Sequence, residues 1–126
     1  MKIPKVKSPS VYAQAIRRDN GTCRYCDRDI LESLDAFAAS ALDHLKPRKT
    51  KGRDDNLWNL VTSCHVCNSL KGAWDPTNGG IVSEENFEQC IERVRDYVDS
   101  KRTGLKDTSY FRDWQEWVGE LRRGNR

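Results

Sequence analysis

Leu42-Asp43-His44-Leu45-Lys46-Pro47 lies between Cys23-Arg24-Tyr25-Cys26 and Cys64-His65-Val66-Cys67, and this arrangement decides how the chain is read. In each C-x-x-C pair, two intervening residues put both thiolates on one side of a tight turn. Two such turns supply the tetrahedral sulfur set that zinc prefers. Four sulfurs leave no open coordination position, so a metal held by Cys23, Cys26, Cys64 and Cys67 is structural, not catalytic. The spacer of 37 residues between Cys26 and Cys64 is longer than a simple ribbon's, which requires something folded between the halves. A redox C-x-x-C would not need a second copy.

The bulk properties set limits around that frame. A chain of 126 residues has room for one modest core, and 33% charged against 37% hydrophobic residues makes that core small. A structural metal offsets such a shortage. A net charge of +3 permits a nucleic-acid partner without requiring one. No run approaches the roughly 20 apolar residues of a membrane helix, and the basic start Met1–Lys7 is followed by no apolar stretch. The reading is a cytoplasmic protein with reduced thiols and no membrane partner. Five cysteines, an odd count, argue against a closed disulfide framework.

Outward from the centre, residues 1–20 read as a basic leader and a first helix over about Ser10–Asp19, stopped by Asn20-Gly21. Residues 36–42 are alanine-rich and ambiguous, and are read as a strand ending near His44. Residues 46–56, with Pro47 and Gly52, form a loop, and a short helix starts near Cys64 and ends near Gly72. Phe87, Ile91, Val94 and Val98 recur at helical spacing, predicting a helix over Glu84–Lys101 with Ser83 as N-cap and Arg102-Thr103-Gly104 as its end. Cys90 on its apolar side is expected to be a buried free thiol. A last helix over Ser109–Arg122 aligns Tyr110, Trp114, Trp117 and Leu121, a stripe expected to be core. The expected units are 1–20, a metal-bearing core over 21–75, and a helical extension over 76–126 packed on it.

The segments Leu42–Pro47, Asn59–Cys64 and Cys67–Gly72 together offer one carboxylate, Asp43, one imidazole, His44, and two amides, Asn59 and Asn68. An Asp and an Asn oxygen can hold one hard cation that keeps several waters. A neutral histidine beside them can take a proton from attacking water. The combination suits metal-assisted hydrolysis. His65, with four cysteines available, is expected to be exposed and not a ligand.

At these residues the sequence resembles the HNH endonuclease family, in its zinc-knuckle subgroup. C-x-x-C, L-D-H-x-x-P and N-L-x-x-x-C-x-x-C-N-x-x-K-G are all filled, over about residues 21–72. The resemblance implies an α+β fold: a small ββα-metal (His-Me finger) core with a four-cysteine zinc site, flanked by an N-terminal helix and C-terminal helices. It implies His44 as general base, Asp43 and Asn68 as ligands of a catalytic divalent cation, and Asn59 as the residue that holds the loop and keeps the catalytic His44 oriented. Structural Zn²⁺ and catalytic Mg²⁺ or Mn²⁺ are the implied cofactors. Asn rather than His at position 68 favours the hard cations. Only Gly52 stands where many members have paired glycines.

The implied activity is hydrolysis of DNA phosphodiesters, by nicking or double-strand cutting. The basic run Lys46, Arg48, Lys49, Lys51 and Arg53, together with Lys71, is expected to meet the phosphates of double-stranded DNA. No array of Asn, Gln or Arg on a recognition helix supports reading of base edges. A two-strand cut needs a homodimer or two successive events, and a larger nuclease, restriction or phage-packaging complex is a further partner of this kind. A non-catalytic zinc module that binds DNA or protein is the alternative; it needs the cysteines but not Asp43, His44 and Asn68.

Overall fold

The computed structural model describes residues 10–47, 55–108 and 111–124. The first helix, α1 (Val11–Arg18), starts where the Ser10 hydroxyl accepts from the Ala13 amide at 3.1 Å. It stops at Asn20 and Gly21, whose φ values of 54° and 60° lie in the left-handed region. The chain then enters a tight turn over the first cysteine pair, closed by an isolated antiparallel bridge between Thr22 and Asp29.

The alanine-rich stretch proves to be two elements. Ser33 caps a short helix, α2 (Leu34–Ala38), by accepting from the Ala36 amide at 3.0 Å. Only beyond Ala39 does the backbone extend into β1 (Ser40–His44). After a 3-10 turn at Leu57–Asn59, β2 (Leu60–Cys64) pairs antiparallel with β1, from Ser40 opposite Cys64 to His44 opposite Leu60. The helix α3 (His65–Lys71) follows directly, capped by Cys64 itself. β1, β2 and α3 form the ββα core.

The long helix departs from expectation at both ends. α4 runs Phe87–Thr108, not Glu84–Lys101. Ser83 is not its N-cap, because Asn86 Oδ1 takes the Ser83 amide at 2.7 Å and its amide group donates to the Ile81 carbonyl. That local ring holds residues 84–86 in a turn. At the other end the helix continues through Gly104, since one interior glycine costs only about 1 kcal/mol. Phe87, Ile91, Val94 and Val98 are buried as their spacing predicts, and so is Cys90. They pack in one cluster with Tyr25, Ile30, Leu45 and Val61, which sets α4 against the ββα core.

The last helix, α5 (Phe111–Gly124), corrects a second expectation. Trp114 and Trp117 are each 56% exposed and Leu121 is 50% exposed, so the stripe is not core. The two indoles meet edge to face, their centroids 5.3 Å apart. Tyr110, expected on the same face, lies outside the described residues. Among the described residues, no helix is long and apolar enough to cross a membrane.

One buried carboxylate ties these pieces together. Asp19, at the end of α1, accepts from Arg18, from Arg24 in the first cysteine turn and from the Thr62 amide of β2. Burial raises its pKa, but the hydrogen bonds and charges of Arg18, Thr62 and Arg24 outweigh this and hold it below the ordinary value. Arg24 reaches onward to Glu88 on α4 at 2.7 Å.

Candidate active site

Four sulfurs come together where the two cysteine turns meet. The Sγ atoms of Cys23, Cys26, Cys64 and Cys67 all lie within 4.8 Å of one another, and Cys26 and Cys64 are 3.7 Å apart. Zinc–sulfur bonds of about 2.3 Å in a tetrahedron place sulfurs roughly 3.8 Å apart, so the cluster fits that ion. Backbone bonds shape the first turn: the Cys23 amide donates to Arg28 and the Asp27 amide to Cys23, both at 2.8 Å, with Asp27 at φ 67°. The Arg24 amide donates to Thr62 at 3.0 Å, which docks this turn onto β2. In the second turn the Cys64 sulfur accepts from the Cys67 amide at 3.4 Å. Arg102 of α4 donates to the Cys67 sulfur at 3.1 Å, a positive charge set against a thiolate cluster.

The second site opens beside the first. A cleft of about 350 Å³ is lined by Leu42, Asp43, His44, Pro47, Asn68, Gly72 and Ala73. Asp43 and His44 reach it from the end of β1, and Asn68 from α3. Asp43 is buried, and its Oδ2 accepts from the Tyr25 hydroxyl at 2.7 Å and lies 3.2 Å from the Lys71 ammonium. Burial pushes the Asp43 carboxyl above its ordinary value, and Lys71 and Tyr25 pull it back only in part. Among the described residues, neither Asp43 Oδ1 nor the Asn68 side chain makes a hydrogen bond. Two oxygen donors without internal partners on one cleft suit a hard divalent cation. His44 turns its Nε2 to Asp55 Oδ1 at 2.8 Å, which leaves Nδ1 as the ring nitrogen not engaged by that carboxylate.

The profile of the HNH endonuclease family matches residues 23–73, the span that holds both sites. This core is the part of the chain that is similar to the HNH endonuclease family. The chain is also 30% identical over 102 residues to the CRISPR-associated endonuclease Cas9 of Corynebacterium diphtheriae; the match takes in 77% of this chain and 9% of that protein. The chain thus spans about a tenth of the length of that relative. No solved structure matches significantly.

Within the HNH core, the structure brings Asp43, His44 and Asn68 to one cleft and keeps Asn59 away from it. Asn59 is fully buried; its Oδ1 accepts from the Lys46 amide at 2.8 Å and its Nδ2 donates to the Lys46 carbonyl at 3.3 Å. The Leu45 amide donates to the Asn59 carbonyl at 2.9 Å. These bonds fasten the chain immediately after His44. His65 is exposed and not part of the sulfur cluster.

The basic residues divide. Lys71 does not face DNA as expected: it is 1% exposed, and its ammonium donates to the His44 carbonyl at 2.9 Å beside Asp43. Its place in the last turn of α3, one residue before the turn at Gly72 (φ 54°), directs it inward. Lys46 is half-buried, and its ammonium is bonded to the Gly79 and Gly80 carbonyls. Arg48, Lys49, Lys51 and Arg53 lie outside the described residues. Sequence reasoning missed Tyr25 and Asp55 as neighbours of the site. Tyr25 is hidden between two cysteines, and Asp55 follows a charged run of sequence in which a carboxylate carries no signal of its own.

Proposed function

We propose that this chain hydrolyses DNA phosphodiesters, with His44 as general base and a hard divalent cation, Mg²⁺ or Mn²⁺, at Asp43 and Asn68. The observation that carries the reading is that these three side chains share one cleft although 23 residues separate His44 from Asn68. The HNH family and the endonuclease relative support the same class of reaction. Bound there, such a cation would supply charge stabilisation to the scissile phosphate and its leaving 3′ oxygen.

The chain's own residues do the rest. His44 takes a proton from the attacking water through the nitrogen that Asp55 leaves free of its hydrogen bond, and a positioned base of this kind contributes about 10²–10⁴-fold. Asn59 holds the backbone after His44, and Lys71 holds its carbonyl. Arg48, Lys49, Lys51 and Arg53 supply phosphate contacts, independent of base sequence. The four cysteines hold a structural zinc that keeps β2, α3 and the first turn in register.

Supercoiled plasmid tests the reading. Purified protein should nick or cut it with Mg²⁺ or Mn²⁺, and His44→Ala should lose that activity. Absence of cleavage across several divalent metals, alone or with candidate partner proteins, sinks the enzyme and leaves the binding module.

A further inference from the structure

We propose that Tyr25 is a positioning residue for the catalytic cation, linking the cysteine turn to the cleft by fixing which oxygen of Asp43 is offered. The inference rests on Asp43 being a cation ligand. Tyr25 is 4% exposed, and its hydroxyl donates to Asp43 Oδ2 at 2.7 Å. Lys71 approaches the same oxygen at 3.2 Å. Both donors therefore converge on Oδ2, and Oδ1 is left without a partner among the described residues. A carboxylate held this way presents one oxygen in one orientation, and partners behind a metal ligand commonly set affinity by 10–100-fold.

Tyr25 cannot readily relax away. It stands between Cys23 and Cys26, two members of the sulfur cluster. The Arg24 amide beside it is fixed to Thr62 of β2, and the Cys23 amide to Arg28. The ring packs in the central cluster with Ile30, Leu45 and Val61. Assembly of the four-cysteine turn thus places a phenol donor on a side chain of the neighbouring cleft. The two sites are separate in their ligands, and this hydrogen bond links them in addition to the chain step from Cys67 to Asn68.

Tyr25→Phe removes only the hydroxyl and leaves the ring in the core and Lys71 on the oxygen. Manganese binding to zinc-loaded protein, followed by electron paramagnetic resonance, reads the effect without catalysis. Wild type should bind Mn²⁺ at a site that Asp43→Ala removes. Tyr25→Phe should keep one zinc per chain and its circular dichroism while binding Mn²⁺ about tenfold more weakly. A dissociation constant within twofold of wild type would overturn the positioning role and leave the nuclease reading standing. A wild type with no Asp43-dependent Mn²⁺ site would overturn the ligand assignment itself, and this inference with it.

Discussion

Asp19 shows how much one carboxylate can organise at the scale of a residue. Its oxygens take donors from α1, from the first cysteine turn and from β2. Removing one partner of a buried, hydrogen-bonded charge pair costs about 3 kcal/mol, so Asp19→Ala should lower stability in urea unfolding by that order. The pH dependence has a definite sign. The folded pKa lies below the ordinary value of 3.8, so the folded state releases the Asp19 proton more readily than the unfolded chain. The stabilisation is fully present above about pH 4 and is lost as the pH falls through the folded pKa. The gap between wild type and Asp19→Ala should be constant from pH 5 to 8 and shrink below pH 4. A gap that widens on acidification would contradict the assignment. Asp19 carries no motif, and its role could not be read from sequence because its partners come from residues 18, 24 and 62. His44, Asp43 and Asn68 could be read, because their spacing to the cysteines is itself the signal.

At the scale of elements, periodicity identified buried faces where another surface was available to cover them. The spacing of Phe87, Ile91, Val94 and Val98 marks a face that meets Tyr25, Leu45 and Val61. The spacing of Trp114, Trp117 and Leu121 is just as regular, yet that face is exposed among the described residues. Periodicity reports that a face is apolar, not what lies against it. The two helices should respond differently to truncation. Ile91→Ala should cost about 3 kcal/mol in thermal or urea unfolding, as buried isoleucine truncations do. Trp117→Ser should change stability by no more than about 0.5 kcal/mol, as exposed substitutions do. A large loss at Trp117 would mean that α5 is packed in the folded protein. Helix ends escaped sequence reading for a related reason. Asn86 captures the Ser83 amide through its side chain, a contact that local geometry decides.

At the scale of the whole molecule, one ββα unit carries both the four-cysteine cluster and the cleft lined by Asp43, His44 and Asn68. The sulfur cluster joins the turn at Cys23–Cys26 to the end of β2 and the start of α3, so its metal acts on folding. Chelation of zinc, or Cys64→Ser, should unfold the core, seen as loss of helical circular dichroism and of the cooperative transition. A chelated protein that keeps its transition would show that the core needs no metal. The cleft is the other site, the one proposed to carry the chemistry. The most direct measurement is plasmid cleavage in single turnover by wild type and His44→Ala, both verified to hold one zinc per chain. The account predicts a fall of about 100-fold or more with the zinc retained; equal rates would contradict it.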